Sequence, residues 1–337
     1  MSESKNYRIA VIGCGAIAPN HVTAILQNGY TLCALCDVLP EKAEALKTIF
    51  NLPSVPVYTD YREMLEREAP DAVHICTPHD LHAPMTVYAL KHNIHVLCEK
   101  PMAINMEQLR MVQRAAKESR ATLGYCFQNR YEPLMRLIKE MSADGVLSAM
   151  GTVVWKRDAA YYASADWRGT IAHEGGGVMI NQAIHTLDIL QWLCGMPTHV
   201  TAHVSNDHLG DAIEVEDTAS ARFETADGTV FFLFATNTAN KSMPVEIQLR
   251  LADGKNVIAQ NKHLIVNDEL IATKAQEVEK AVGKAEWGKG HTLLAHDFYR
   301  CINEGIPFPI GAWEADKAVR LIFAMYASNG RRIAVEE

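Results

Sequence analysis

The sequence lacks the features that mark membrane, nucleic-acid-binding and secreted proteins. It has no run of about 18 apolar residues that could span a bilayer. Residues 1–7 are polar, without the apolar stretch of a secretory signal. Its 32 lysines and arginines form no block and are outnumbered by 40 acidic residues, giving a formal charge of -8. We therefore expect a cytoplasmic protein that has neither a membrane nor a nucleic acid as its partner.

Disulfide and metal chemistry have little support in the sequence. Eight cysteines in 337 residues are too few for a disulfide scaffold, and most lie in apolar runs. Cys33 and Cys36 form a C-x-x-C pair, but residues three apart in a strand point to opposite faces. The 14 histidines include no H-E-x-x-H and no paired Cys/His spacing. We expect buried, reduced thiols and no bound metal.

The length of the chain and its apolar pattern predict two domains, at 1–124 and 125–337. In the first region, short apolar runs alternate with amphipathic helical stretches, which is typical of parallel βαβ units. We expect an α/β fold that begins with a doubly wound parallel sheet. The predicted strands are Tyr7–Ile12, Thr31–Cys36, Ala72–Cys76, Ile94–Leu97 and Ala121–Leu123.

The second region changes pattern and predicts an α+β domain with a large, open, mostly antiparallel sheet. Strand follows strand from Thr198 to Val266, with hairpin signals at Asp227-Gly228 and Asp253-Gly254. The last helices can pack back on the first domain. The other predicted elements are the helices Pro133–Met141, Val178–Cys194, Gly290–Asn303 and Glu314–Asn329, the strand Leu147–Trp155 and an irregular stretch over 156–177.

A glycine motif follows the first strand and predicts a dinucleotide site. Gly13 to Ala18 fit G-x-G-x-x-A, in which Gly13 makes the turn and Gly15 lets the backbone approach a pyrophosphate. Ala16 and Ile17 lead into a helix whose N-terminus attracts phosphate. Asp37 ends the next strand, where its carboxylate would accept hydrogen bonds from ribose hydroxyls and repel a 2′-phosphate. NAD is favoured; Lys42 nearby keeps NADP possible, and Asp37 as a plain surface acid stays open.

Further candidates follow the next strands, at the edge where open α/β sheets bind ligands. Thr77, Pro78, His79 and His82 follow the third predicted strand, and both histidines could contact the cofactor or lie solvated in a loop. Glu99-Lys100-Pro101 follows the next strand. Pro101 disfavours helix at Lys100, which would let the lysine reach over the sheet edge and stabilise a developing alkoxide.

The helix predicted after the three glycines of Glu174–Gly177 carries a candidate acid–base group. Asn181, His185 and Asp188 are spaced so that they can share one helical stripe. The glycines would let backbone and substrate approach closely, and an imidazole suits proton removal at neutral pH. The alternative is a buried histidine that hydrogen-bonds its own helix neighbours.

Together, G-x-G-x-x-A, Glu99-Lys100-Pro101 and the glycines followed by His185 and Asp188 resemble the Gfo/Idh/MocA oxidoreductase family over essentially the whole chain. The resemblance implies an N-terminal Rossmann domain, bound NAD, and a homodimer or homotetramer formed through the C-terminal sheet. It also implies that Lys100 and His185 are catalytic at the reacting carbon of a small-molecule carbohydrate, with Glu99 beside the cofactor. Asn129, Arg130 and His291 match segments that approach the sugar in relatives.

One position departs from the inositol-oxidising members of the family. The resemblance implies that those members have aspartate where this sequence has Asn181. An amide cannot stabilise an imidazolium by charge, so His185 must manage without it or use Asp188. We therefore favour a sugar, sugar acid or nucleotide sugar as substrate. Trp167 and Arg168 suit stacking on a pyranose and recognition of a carboxylate or phosphate. Packing or an oligomer contact is the alternative for Trp167.

The sequence thus predicts an NAD(P)-dependent dehydrogenase or reductase acting on a ring hydroxyl. Two alternatives keep the fold. In one, NAD oxidises and re-reduces the sugar within a turnover, so that a glycoside is cleaved without net NADH. In the other, the protein is a non-catalytic, dinucleotide-sensing regulator.

Overall fold

The computed structural model describes residues 6–260, 263–273 and 289–336. These residues divide into two compact units. The first unit holds residues 6–131 and 289–315, and the second holds 132–260, 263–273 and 316–336. None of the helices in these ranges is both long and apolar enough to cross a bilayer.

The first unit is built on a six-stranded sheet in which every pairing is parallel. The strand order, β3-β2-β1-β4-β5-β6, is that of the doubly wound dinucleotide fold and confirms the predicted Rossmann domain. All four residues of the strand that starts at Ala72 are buried, as expected for a sheet covered on both faces. The strands are β1 Arg8–Ile12, β2 Thr31–Cys36, β3 Val57–Tyr58, β4 Ala72–Ile75, β5 His95–Cys98 and β6 Leu123–Tyr125.

Helices connect these strands, and their starts follow local chemistry. The Asp60 carboxylate accepts hydrogen bonds from two backbone N–H groups of the helix it begins, and Asn105 caps another helix in the same way. The C-terminal helix of this unit packs on its first helix. The helices are α1 Ala18–Gln27, α2 Pro40–Phe50, α3 Tyr61–Glu68, α4 His79–Lys91, α5 Met106–Glu118 and, late in the chain, α9 Gly290–Glu304.

The second unit is built on nine described strands in the order β14-β13-β12-β11-β7-β10-β9-β8-β15. All neighbours are antiparallel except β7 and β10, which confirms the mostly antiparallel sheet. Gly228 and Gly254, with positive φ, turn the two predicted hairpins. The strands are β7 Val146–Val154, β8 His199–Ser205, β9 Thr218–Glu224, β10 Val230–Thr236, β11 Glu246–Leu251, β12 Asn256–Gln260, β13 His263–Val266, β14 Glu269–Thr273 and β15 Ile333–Ala334.

One face of this sheet is covered by a helix. A Cβ on Gly151 of β7 would lie 2.6 Å from Thr186 Cγ2, so glycine is what allows the helix to pack this closely. Alternation of buried and exposed residues along β7 and β10 leaves the other face of these strands open. The helices of this unit are α6 Pro133–Met141, α7 Ala159–Tyr162, α8 Ile184–Cys194 and α10 Ala312–Ser328, whose first residues belong to the first unit.

The prediction of one continuous helix from Val178 to Cys194 was wrong at its start. Met179–Ala183 form a π-helical turn, and the α-helix begins at Ile184. π-Turns are common near functional sites because they redirect side chains within a helix. The short strand β3 was not predicted, since two residues leave no periodic signal. The last strand of the first unit lies two residues later than predicted, at Leu123–Tyr125.

Candidate active site

The glycine turn after β1 has one glycine that the fold requires and one that it does not. Gly13 has φ +88°, and a Cβ there would lie 2.6 Å from the backbone of Cys76 on the neighbouring strand. Gly15 has no positive φ, and a Cβ there would meet no atom of the described residues within 4 Å. Packing therefore explains why residue 13 is glycine. At Gly15, open space would let a ligand approach the protein backbone.

The helix that follows begins as an anion site requires. Ile17 is the N-cap of α1 and makes no side-chain capping hydrogen bond, and Ala16 is exposed. Ala18 and Asn20 already donate their backbone N–H groups to the Gly15 and Ile17 carbonyl oxygens, and Pro19 has no N–H. The N–H groups that a phosphate can use are therefore those of Gly15, Ala16 and Ile17, which form no hydrogen bond with the described residues, together with the positive end of the helix dipole.

Asp37 lies beside the glycine turn and also accepts hydrogen bonds from backbone N–H groups, which the sequence did not reveal. Its Oδ2 accepts a hydrogen bond from the Cys14 backbone N–H at 2.8 Å, and its Oδ1 accepts one from Leu39 N–H at 2.9 Å. A carboxylate has about four lone-pair sites, so each oxygen can still accept a hydroxyl. The side chain therefore sits fixed beside the glycine turn, where an adenosine ribose would bind. The residues fit the dinucleotide predicted from the sequence.

After β4, in the first turn of α4, His82 forms hydrogen bonds to two different loops. Its Nδ1 lies 2.8 Å from the carbonyl oxygen of Pro101, and its Nε2 lies 2.9 Å from that of Thr77. Burial lowers the pKa of this imidazole below 6.5 against the opposing effect of the two carbonyls. Pro78 is the N-cap of α4, and His79, also buried, is its first residue. The predicted cofactor contacts of Thr77, Pro78, His79 and His82 stay predictions.

Lys100 is held through the residue before it. Glu99 follows β5 and is buried, and its Oε2 accepts a hydrogen bond from the Lys100 backbone N–H at 3.2 Å. Its Oε1 lies 3.1 Å from His21 Nε2 and 3.0 Å from His291 Nε2. Lys100 itself is half-buried, and its peptide bond to Pro101 is cis.

The carboxylate of Glu99 ends a buried chain of hydrogen bonds. His21 Nδ1 lies 3.0 Å from His74 Nδ1, and His74 Nε2 lies 2.9 Å from the hydroxyl of Tyr299. Burial would raise the pKa of Glu99, but hydrogen bonds from His21 and His291 hold it well below 4.5. Burial lowers the pKa of both His21 and His74 below 6.5. An ionised Glu99 therefore faces a neutral His21.

These pKa directions fix one set of tautomers. His21 donates from Nε2 to Glu99, so its Nδ1 must accept from His74 Nδ1–H, and His74 Nε2 must accept from Tyr299. Sequence reasoning could not detect this chain, because its members come from α1, β4, α9 and the residue after β5. His291, predicted to approach the sugar, lies here against Glu99.

The same cluster contains three possible metal ligands that the sequence spacing did not reveal. His21, Glu99 and Cys126 each offer a ligand atom, and these atoms lie within 4.8 Å of one another, although no sequence spacing links them. Burial raises the pKa of the Cys126 thiol well above 9.0, which disfavours the thiolate that a metal needs. Hydrogen bonds already engage both oxygens of Glu99.

In the second unit, two of the three glycines are required by packing, and the third, Gly175, has a positive φ of 81°. A Cβ on Gly177 would overlap the carbonyl oxygen of Glu216, and one on Gly176 would overlap the hydroxyl of Tyr326. Glu216, which the sequence did not single out, accepts hydrogen bonds from the backbone N–H groups of Gly177 and Met179, both at 2.9 Å. Burial raises the pKa of this carboxyl above 4.5, opposed by those backbone donors. The predicted purpose of the glycines, close approach of substrate, is not needed to explain them.

Asn181 has a carboxylate partner that sequence reasoning missed. Its Nδ2 donates to Oε1 of Glu174, which is fully buried and whose Oε2 accepts from Gly169 N–H. Because a carboxylate only accepts, the amide must turn its NH₂ to Glu174 and present its oxygen elsewhere. Asn181 lies in the π-helical turn and His185 in α8, so the predicted stripe holds only for His185 and the buried Asp188.

The remaining predicted substrate residues lie in different settings. Arg130 is 6% exposed and pairs with Glu314 at 2.8 Å, within the first unit, and Asn129 lies half-buried in the same 3₁₀ turn. Trp167 and Arg168 lie in the second unit, where the Arg168 guanidinium is 4.5 Å from the Trp167 ring centre. Lys100 belongs to the first unit and His185 to the second, and their convergence on one substrate stays a prediction.

Comparisons with known proteins cover both units. Residues 7–127 match an oxidoreductase family with an NAD-binding Rossmann fold, and residues 135–255 match the Gfo/Idh/MocA C-terminal domain. D-glucoside 3-dehydrogenase of Escherichia coli (strain K12) is 30% identical over 262 residues, covering 71% of this chain and 74% of that protein. D-apiose dehydrogenase of Paraburkholderia graminis is 28% identical over 64% of this chain and 56% of that protein.

Solved structures agree with these relatives. The WlbA dehydrogenase of Bordetella pertussis, solved with NADH and UDP-GlcNAcA, is similar with a TM-score of 0.83 and 26% identity, over 99% of this chain and 100% of that one. A levoglucosan dehydrogenase solved with NADH gives a TM-score of 0.86 at 20% identity, over 99% of this chain and 100% of that one, and shows the shared fold.

Proposed function

Since the chain belongs to the Gfo/Idh/MocA oxidoreductase family, we propose that it moves hydride between NAD and a ring hydroxyl of a sugar, sugar acid or nucleotide sugar. The observation that carries this proposal is the similarity to a sugar dehydrogenase along 71% of the chain. The open backbone at Gly15, beside a fixed Asp37 carboxylate, supports the same cofactor.

NAD would bind across the edge of the first sheet. Gly15, Ala16 and Ile17 would bind the pyrophosphate through backbone N–H groups, and Asp37 would accept from the ribose hydroxyls. A 2′-phosphate would meet the negative charge of Asp37, so we favour NAD and keep NADP as the weaker cofactor. The nicotinamide supplies the carbon that accepts or returns hydride.

Side chains of the protein would transfer the proton of the reacting hydroxyl and stabilise the negative charge on its oxygen. His185 takes the hydroxyl proton during oxidation and returns it during reduction, a role that suits an imidazole at neutral pH. The Lys100 ammonium donates to the oxygen as negative charge develops there. Glu99, fixed by His21 and His291, would position Lys100 through its backbone N–H.

The C-terminal sheet would join copies of the chain into a homodimer or homotetramer. Phe232 and Phe234 of β10 are 42% and 41% exposed, and Met150 of β7 pairs with Phe232 on the same face. The other face of these strands is covered by α8. A second copy would cover the exposed apolar row.

The first test is activity. Pyranosides, sugar acids and nucleotide sugars are screened with NAD and NADP, and the absorbance of the reduced cofactor is followed. On the best substrate, His185→Ala should lower kcat about 10²- to 10⁴-fold and leave NAD binding intact, because acid–base help typically contributes that much. His208→Ala, which removes an exposed histidine of the same unit, serves as control.

Two results would contradict this assignment. Unchanged turnover in His185→Ala would remove His185 from the chemistry. Release of free sugar without net NADH would identify the redox-neutral glycoside-cleaving alternative, and no NADH across the whole panel would favour the dinucleotide-sensing regulator.

A further inference from the structure

Two arginines in the irregular stretch before the glycines lack an acidic partner. Arg157 and Arg168 are half-buried, yet neither forms an ion pair with a carboxylate among the described residues. Arg130 and Arg320, the other described arginines that are not exposed, pair with Glu314 and Asp316. A guanidinium taken partly out of water without a counter-charge is costly unless a ligand supplies one.

Both guanidinium groups lie against aromatic rings. The Cζ of Arg157 lies 4.9 Å from the ring centre of Trp155 and 5.0 Å from that of Tyr161. The Cζ of Arg168 lies 4.5 Å from Tyr161 and 4.5 Å from Trp167. Tyr161 therefore contacts both arginines, and this shared packing restricts the flexible side chains before any ligand binds.

The arginines also have N–H donors to spare. Arg157 Nη1 donates to the Lys156 carbonyl at 2.8 Å, and Arg168 Nη1 donates to the Tyr161 hydroxyl at 2.6 Å. The Nε atom of each arginine is buried and has no hydrogen-bond acceptor in the part of the chain that the structure describes. The acid that follows Arg157 in the chain, Asp158, uses its carboxylate to cap the backbone N–H of Tyr161. The two Nη atoms of each guanidinium carry four N–H donors, and since the bonds above use one of them, most remain for a ligand.

The pair adjoins the segment that carries the proposed catalytic histidine. Gln182 Nε2 lies 3.4 Å from the Tyr161 hydroxyl, and Gln182 follows Asn181 in the π-helical turn before α8. Asn237 donates to both Gln182 Oε1 and the hydroxyl of Tyr162. Hydrogen bonds therefore connect the aromatic–arginine cluster to the turn that leads to His185.

We propose that Arg157 and Arg168 form an oxyanion-binding site for the carboxylate or phosphate group of the substrate, so that the enzyme acts on an anionic sugar. The proposal rests on the proposed function for the identity of the ligand as a sugar. Two planar groups with free donors bind a carboxylate or phosphate through paired hydrogen bonds, which a neutral sugar cannot match.

The test measures binding of matched sugars to the full-length, NAD-loaded protein by calorimetry. D-glucose is compared with D-glucuronate, D-galactose with D-galacturonate, and D-glucose with UDP-glucose, so the arms separate carboxylate from phosphate. We expect at least one anionic sugar to bind about 10-fold or more tightly than its neutral partner, because hydrogen bonds to charged groups contribute about 10- to 100-fold in affinity.

Variants then assign that preference to residues. Arg157→Gln and Arg168→Gln should each lower affinity for the anionic sugar about 10- to 100-fold and leave the neutral sugar unchanged. Arg168→Lys keeps the charge but loses the fork, so it should recover only part of the affinity. Arg114→Gln, which removes one charge from an exposed arginine of α5, should bind like the wild type.

Several outcomes would overturn the proposal. These are neutral and anionic sugars binding alike to the wild type, an equal loss in Arg114→Gln, or unchanged binding in both Arg157→Gln and Arg168→Gln. If one variant does not fold, the other variant and the wild-type comparison still decide. Because binding needs no turnover, anionic sugars that bind through these arginines while no sugar yields NADH would leave this site standing and remove the proposed function.

Discussion

At the residue scale, Asp37 combines support of the glycine turn with recognition of the cofactor. Its oxygens accept from Cys14 and Leu39 N–H, which fixes the carboxylate before a dinucleotide binds. Because the Asp37 carboxylate is already held in place, little entropy is lost when it binds a ribose. We therefore expect Asp37 to make the protein bind NAD more tightly than NADP.

Asp37→Ala should therefore weaken NADH binding about 10-fold or more and NADPH binding much less, because only NADH loses hydrogen bonds to a carboxylate without relief of repulsion. Quenching of protein fluorescence during titration with each cofactor measures both constants. Equal losses for the two cofactors would mean that Asp37 acts only through the turn.

Also at the residue scale, Glu174 and Asn181 form a matched acceptor and donor. Asn181→Asp would place a second carboxylate against the buried Glu174, and like charges at this distance cannot both ionise. We expect that variant to lose about 10-fold or more in kcat, and the double variant Glu174→Gln/Asn181→Asp to recover most of it, because the swap restores one donor and one acceptor.

Turnover and urea unfolding of the two single variants and the double variant complete this cycle. A double variant that is as impaired as the sum of the single ones would show that the two side chains do not act as a pair.

At the element scale, α1, β4 and α9 are joined by the buried histidine chain. His21 and His74 have a pKa below 6.5 in the folded protein, whereas the unfolded chain binds their protons near 6.5. The unfolded state therefore holds more protons below that pH, and the free energy of unfolding must fall as the pH falls. Glu99, whose pKa is well below 4.5 when folded, continues the loss at lower pH.

Urea unfolding from about pH 7.5 to about pH 5.5 should show this loss, and His74→Asn should reduce its slope because one titrating group is removed. The same substitution at the exposed His208 should leave the slope unchanged. A slope in His74→Asn equal to that of the wild type would contradict the assignment of neutral, buried imidazoles.

At the scale of the whole molecule, the open face of the second sheet bears on assembly. Phe232→Glu would place a charge in the apolar row of β10, and a charge buried at an interface without a partner is strongly unfavourable. We expect light scattering to show a smaller particle than the wild type. Ile49→Glu, on an exposed apolar residue of α2, should leave the mass unchanged, and an unaltered mass in Phe232→Glu would exclude this face.

Much of the architecture followed from local chemistry. Apolar runs separated by amphipathic helices specified the parallel sheet, and Asp227-Gly228 and Asp253-Gly254 specified hairpins, because these signals lie within a few residues of the structure they form. The family was evident from the spacing of three motifs. The roles of Lys100 and His185 remain predictions, since each unit carries only one of them.

By itself, the sequence determined the class of fold, the dinucleotide motif and the family of enzymes, because periodicity and turn chemistry depend on neighbours along the chain. Only the tertiary structure decided which donors each carboxylate accepts from. Glu99 accepts from two histidines and from Lys100 N–H, Glu174 accepts from Asn181, and Glu216 accepts from the backbone of Gly177. Except for Lys100, which directly follows Glu99, these partners are distant in sequence or on separate elements. Burial, which sets their charge, exists only once the chain has folded.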